Sequence, residues 1–488
     1  MIGIVRQAGP HGSGRTEAAD ADAGLSSPSA IPLQTVLSRT ATRQSSNATG
    51  GNGGSGDSRD NIDSITTQQS FVEPPSSSSA AMAAQQEGGL QGWTVVAGST
   101  AIFFTTVGLV YCFGVLQSEL ISRHYSSSST LGWVSSVTVV IAPLCSIPIT
   151  ALIRRTSNRT VGLMGAACTS VGYIATSFTF KNGNVPYLFL AQAIFGFGYA
   201  LNFWASNSLA AQYFERKRGL AVGIVYAGSG VGGAVLSIGL SRLIRRVGLE
   251  WAVCIYGLMA LLILVPASFT LRQRGSVTVA SLKLDYFRQP NFLLLFFGTA
   301  LNTFALFVPP FFLPTYAVAA GYSSETGAWL VAGYNFASAV GRIMFGLMAD
   351  SRLGPVTTLC VAFILMATTI LSIWVAAGTY LPPLVIFLLL NGAAGGALLS
   401  LQPTVVASMY GTSELAVTMA MVTIGRCVGS ALGAPIAGYL LDAFGGPQGG
   451  TPPFRPALLV IGSISFLAAM CLLTLRLRMG GLSLKKRI

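Results

Sequence analysis

Two arginines stand where the sequence is otherwise apolar. Arg342 falls in NFASAVGRIMFGLMAD (335–350) and Arg426 in MVTIGRCVGSALGAP (421–435). A guanidinium in the middle of such a run costs on the order of 3 kcal/mol or more to place in a bilayer, so it faces a cavity or a partner. Its planar fork of donors suits a carboxylate, which it can hold through two parallel bonds. Helical spacing puts Asn335, Ser338 and Arg342 on one face, and Thr423, Arg426 and Ser430 on another. Arg342 lies eight residues before Asp350 and Arg426 twelve after Glu414. Those offsets, roughly 12 and 18 Å of helix, give the two cations similar depth.

The chain offers them no counter-ion. Of 16 acidic residues, eight precede residue 89; the rest are Glu119, Glu215, Glu250, Asp285, Glu325, Asp350, Glu414 and Asp442, all in loops or at the ends of apolar runs. The chemistry this predicts is capture of an anion by two cations. The competing reading for either arginine is that it bonds backbone carbonyls and only locks helices together. Candidate walls are Tyr111, Phe113, Asn202, Trp204, Tyr226, Phe307, Tyr334 and Asn391, although aromatic residues at helical spacing also serve as packing or lipid contacts.

The elements that must position these residues are membrane spans. The 488 residues are 52% hydrophobic and 9% charged, against about 25% charged in a soluble domain. Twelve apolar runs, each long enough to cross a ~30 Å hydrocarbon core, lie near 93–117, 130–153, 160–180, 186–211, 218–241, 250–271, 290–316, 325–349, 355–377, 382–409, 414–441 and 456–475. The predicted fold class is therefore an all-α membrane protein of twelve transmembrane helices. A polar loop, 272–289, divides it into six-helix halves, 89–271 and 290–478. Residues 1–88, rich in Ser, Gly, Ala, Thr and Gln, read as a disordered cytoplasmic tail, and 479–488 as a basic cytoplasmic C-terminus. No apolar signal-peptide core is present in the first 88 residues.

Charge sets the expected orientation. With the tail inside, the inner loops and C-terminus carry 16 Lys and Arg residues and the outer loops six, which favours cytoplasmic termini. The trio Arg242, Arg245 and Arg246 is the local exception. The net charge of +13 sits in these short clusters, so nucleic acid is not the expected partner. Only His11 and His124 are histidines, and the seven cysteines fall within apolar runs without CxxC spacing. No metal site, cofactor or enzymatic centre is expected, and no GxxxxGK[ST] loop suggests ATP drive.

YFERKRGLAVGIVYAGSGVGG (213–233) resembles the fifth-helix signature of the monocarboxylate transporter family: Tyr213-Phe214, a basic cluster with Arg216 and Arg218, then Gly223, Gly228 and Gly232. EGGLQGWTVV (87–96) resembles that family's first-helix signature with one residue inserted. FFLPTYAVAAGYS and GRIMFGLMADSRLGP look like its fungal branch, and Gly341-Arg342, Gly346 and Asp350 resemble the loop motif of the wider major facilitator superfamily. The resemblance, over about residues 87–478, implies two halves rocking about a central site lined by spans eight and eleven. It implies a gating or structural role for the quoted motif residues; Asp350 is expected to cap or pair at a helix end. The glycines also have the spacing of a close-packed helix face.

In that family an arginine in helix eight matches Arg342. An aspartate four residues earlier is replaced here by Ser338, and the first-helix lysine, near Gly114–Val115, is missing. Proton symport by that route is therefore in doubt. One basic residue in each of helices eight and eleven looks more like the oxalate–formate antiporter. The expectation is transport of a small mono- or dicarboxylate, itaconate-like, across a fungal plasma membrane by a functional monomer. Protons or a counter-anion would be the coupling partner in symport or antiport, and export would be the direction if the anion is a metabolic product. A neutral-solute carrier of the riboflavin type and a non-transporting membrane sensor remain open.

Overall fold

A computed structural model describes residues 88–182, 184–207, 209–214, 218–274, 284–411 and 415–481. The tail assigned to 1–88 lies outside them but for Gly88, and so do Glu215, Arg216, Lys217 and Glu414. Every described element is helical. All twelve expected runs are helices: Gly89–Ser122, Ser128–Leu144 with Ser146–Arg155, Asn158–Asn182, Val185–Asn207, Arg218–Val247 and Leu249–Thr270, then Pro290–Leu306 with Val308–Ala319, Ser324–Asp350, Pro355–Ala377, Leu381–Tyr410, Leu415–Ala443 and Phe454–Gly480. We call these spans one to twelve. Leu262, Leu347, Trp251 and Tyr439 leave most of their surface uncovered, which suits helices bathed in lipid on their outer faces.

Proline accounts for the two broken spans. In span two the helix bends by 53° at Cys145, between Pro143 and Pro148, which cannot donate to the preceding turn. Trp204 Nε1 donates to the Ala142 carbonyl at that bend, at 2.7 Å. Span seven breaks at Phe307, just before Pro309 and Pro310. Span nine contains a π-helical segment, Thr369–Trp374. Asn391 of span ten donates to the Met366 carbonyl at 3.2 Å and to Thr369 Oγ1 at 2.8 Å, satisfying acceptors at that irregular turn.

Two expectations about charge change. Span five runs on to Val247 and span twelve to Gly480. Arg476, read from sequence as tail, is only 4% exposed, and its Nε donates to Thr357 Oγ1 at 2.7 Å. Its Nη1 also donates to the Gly481 carbonyl at 3.3 Å.

Candidate functional site

Spans five and eight run antiparallel and touch in register. At one end Arg245 pairs with Glu325. Toward the middle, a Cβ built on Gly233 would lie 2.8 Å from the Asn335 side-chain amide carbon, and one on Gly230 2.6 Å from the Asn335 backbone oxygen. The next pairing is made by Arg342, whose Nη1 donates to the Tyr226 carbonyl and to Ser229 Oγ. One step further, a Cβ on Gly223 or on Gly346 would meet nothing within 4 Å. The seam is thus tight from the Glu325 end down to Arg342, and the glycines one step beyond it have open space at their Cβ positions.

Arg342 is 2% exposed. Its Nη2 reaches Tyr111 Oη of span one at 3.5 Å, and its Nε has no partner among the described residues. Arg426 of span eleven is partly buried; its Nε donates to Thr303 Oγ1 of span seven at 3.2 Å and its Nη1 to Gln402 Oε1 of span ten at 3.1 Å. Geometry links the two: Arg342 reaches Tyr111, whose ring lies 6.4 Å from Phe307, four residues beyond the Thr303 that Arg426 holds. Among the described residues neither has a carboxylate partner; every bond they make is to a neutral acceptor.

Aromatic rings surround this pair. Tyr111 and Phe307 lie 6.4 Å apart, Phe307 stacks on Phe311 at 5.9 Å, and Phe103 packs on Phe203 at 5.3 Å and on Tyr226 at 5.1 Å. Tyr199 joins Phe203 at 5.8 Å. The Tyr226 hydroxyl donates to Asn207 Oδ1 at 2.6 Å, fixing the ring against span four. Such a wall can hold the apolar body of a ligand, with two cations to take an acidic group.

The other candidates divide. Asn335 lies on the Arg342 face, almost fully buried, with both side-chain amide atoms unpartnered among the described residues. Ser338 is also on that face, packed where its backbone oxygen blocks any side chain on Gly396. Asn391 and Trp204 are engaged with the irregular turns of spans nine and two, as described above. The Tyr334 hydroxyl lies 3.4 Å from Asn391 Oδ1, and Asn202 Nδ2 donates to Thr169 Oγ1 at 3.4 Å within its own half. Phe113 packs on Phe311, ring centroids 6.1 Å apart.

The fifth-helix motif makes these contacts where it is described. The Tyr213 hydroxyl donates to the Arg272 carbonyl at 2.9 Å, and Phe214 packs on Trp93 with centroids 5.0 Å apart. Gly228 and Gly232 face Thr100 and Phe104 of span one so closely that no side chain would fit, whereas Gly223 faces open space, unlike a packing glycine. Arg218 opens span five, and Asp350 is the last helical residue of span eight.

Sequence reasoning missed Tyr199, Ser229, Thr303 and Gln402. Ser229 follows Tyr226 by three residues and Tyr199 precedes Phe203 by four, so helical spacing held a signal for both. Thr303 and Gln402 had none, since only the fold brings spans seven and ten beside Arg426.

Known proteins agree with this architecture. The family model described as Major Facilitator Superfamily matches residues 98–328 and 295–486. The chain is 30% identical over 392 residues to the MFS transporter asaE of Aspergillus flavus, covering 78% of this chain and 87% of that one. It is 29% identical over 384 residues to the aspyridones efflux protein apdF of Emericella nidulans, covering 78% and 77%. The solved structure of the nucleoside transporter NupG superposes with a TM-score of 0.63 over 79% of this chain and 99% of that chain, at 13% identity, a likeness of fold. Twelve spans and these alignments lead to one conclusion: the chain belongs to the Major Facilitator Superfamily and is a multi-pass membrane transporter of that type.

Proposed function

We propose that this transporter carries a small organic acid anion out of a fungal cell, with both termini on the cytoplasmic side of the plasma membrane. The observation that carries the reading is the pair of guanidiniums, Arg342 and Arg426, converging on one aromatic-lined region with only neutral acceptors around them. An uncompensated buried cation is costly, and a ligand carboxylate removes that cost at both positions. The class is a mono- or dicarboxylate of the monocarboxylate-transporter type, extended toward acids with an apolar or aromatic body because the wall is built of Tyr111, Tyr199, Tyr226, Phe203 and Phe307. The likeness to the aspyridones efflux protein apdF supports outward transport. Coupling to protons or to a counter-anion, with the monomer as the working unit, belongs to the same proposal.

The geometry suggests how binding would drive transport. A carboxylate that takes Arg342 removes the donor now spent on the Tyr226 carbonyl and Ser229 Oγ. A bond across the five–eight seam is then lost, and the closed end becomes easier to part. Anion binding to purified protein in nanodiscs tests the reading: Arg342→Gln and Arg426→Gln should each weaken it. Wild-type affinity in both would make the arginines helix locks and would favour a neutral solute. Flux into proteoliposomes separates transport from sensing.

A further inference from the structure

Spans two and eight begin with the same four-residue cap. Ser127-Ser128-Ser129-Thr130 opens one and Ser323-Ser324-Glu325-Thr326 the other. In each the first serine has extended backbone, φ −70° and ψ 160° for Ser127, φ −67° and ψ 153° for Ser323. Its hydroxyl accepts the N–H three residues on, at 3.3 and 3.2 Å. Both caps point at the end of a span from the opposite half. The third residue of the cap differs, and so does the contact across the seam.

At span eight the carboxylate is on the cap itself. Glu325 Oε2 lies 2.7 Å from Arg245 Nη1 of span five, and Oε1 lies 4.0 Å from Arg242 Nε. The side chains are 37%, 49% and 60% exposed respectively. At span two the third cap residue is Ser129, and the carboxylate comes from the other side of the seam. Asp442 near the end of span eleven accepts the N–H of Ser128 at 3.2 Å and of Ser129 at 2.7 Å. Those are two of the orphan donors of a helix start, where an anion also meets the positive end of the helix dipole. The seam there is tight, since a Cβ on Gly438 would lie 2.5 Å from the Ser128 oxygen.

We propose that these two contacts are paired, unequal latches that hold this end of the transporter shut, with Asp442 and not Glu325 as the main one. An exposed ion pair is screened by salt and contributes little. A partly buried carboxylate bonded to two backbone donors is charge-assisted and resists screening. Release of Asp442 from the start of span two is therefore the step that lets this end open, and Glu325 trims the balance at low ionic strength. This also explains why a cluster of arginines stands at the end of span five against the general charge pattern.

Thr315 offers a reporter. It is 3% exposed, its hydroxyl has no partner among the described residues, and it borders a cavity of about 310 Å³ at this end with Ser118, His124 and Gln448. The experiment adds a polar maleimide to full-length protein in nanodiscs and reads the labelling gained by Thr315→Cys over the protein without it. Asp442→Ala should speed that labelling about tenfold, the loss of a charge-assisted contact, equally at low and high salt. Glu325→Gln should speed it about threefold at low salt and not at all in about 0.5 M salt, where exposed charges are screened. Ser128→Pro removes one donor at the first helical position, where proline is well tolerated and the preceding backbone is already extended. It should give about threefold, and it decides the matter if Asp442→Ala fails to fold. Reference-rate labelling in folded Ser128→Pro and Asp442→Ala protein overturns the proposal, as does an effect of Glu325→Gln larger than that of Asp442→Ala.

Discussion

Asn335 presses its side-chain amide against Gly233 across the seam between spans eight and five: a Cβ added to the glycine would lie 2.8 Å from the Asn335 Cγ. Gly233→Ala should therefore wedge this seam. We expect a loss of about 1–3 kcal/mol in the closed arrangement, the usual range for overpacking, and a shift toward the opposite-facing state. Faster maleimide labelling at Thr315→Cys, without loss of folded protein, is the readout. Unchanged labelling would mean that the Asn335 amide swings aside at no cost.

Arg342→Lys keeps the charge but loses the planar fork that now holds the Tyr226 carbonyl and Ser229 and would turn to an incoming carboxylate. Anion affinity should drop strongly. Loss of one charge-assisted contact to a desolvated carboxylate costs about 2–5 kcal/mol by analogy with buried interface pairs. Arg426→Gln should hurt a dicarboxylate more than a monocarboxylate. Calorimetry with matched mono- and diacids checks both, and equal losses for the two acids would leave Arg426 as the partner of Thr303 and Gln402 alone.

Asn391→Leu separates scaffold from site. Removing the amide leaves the Met366 carbonyl and Thr369 hydroxyl of the π-helical turn without this donor. The Met366 carbonyl keeps the Thr369 hydroxyl at 3.0 Å, so the loss is that of ordinary hydrogen bonds, about 0.5–1.5 kcal/mol each; the melting temperature should fall while anion affinity stays put. An affinity loss at unchanged melting temperature would return Asn391 to the binding surface.

Deleting residues 2–85 should leave flux per surface-expressed molecule within about tenfold of full length, because their polar, glycine- and serine-rich composition has no apolar face to dock. A larger loss with normal expression would show that the tail takes part in transport.

The twelve spans were legible because a bilayer demands long apolar runs, and each run became a helix. Arg342 and Arg426 were legible for the same reason, as charges out of place. Their partners were not. Tyr226 offers Arg342 a main-chain carbonyl, which any residue there would supply, and Ser229 looks like any small residue in a glycine-rich helix. Trp204 and Asn391 bond to the irregular turns of neighbouring spans, which the sequence does not display. An indole or amide facing a kink in a neighbouring span has the same sequence signature as one facing a cavity. Arg476 was placed in the tail because a basic residue near a helix end commonly lies in water, and the Thr357 hydroxyl that holds it is more than a hundred residues away.

The Gln212-Tyr213 pair sets a limit on travel. The Tyr213 hydroxyl holds the Arg272 carbonyl and Gln212 Oε1 accepts the Arg274 N–H at 3.1 Å, so the strand leaving span six is pinned to the first half as far as Arg274. The next helical turn, Leu284–Arg288, packs through Tyr286 on Tyr410 of the second half, ring centroids 5.3 Å apart. Between the two anchors run ten peptide links, which reach about 36 Å at full stretch however they are arranged. The connection is a leash of fixed length, made short by one phenol and one amide. Gln212→Leu together with Tyr213→Phe lets out slack without touching the seams, the aromatic wall or either guanidinium.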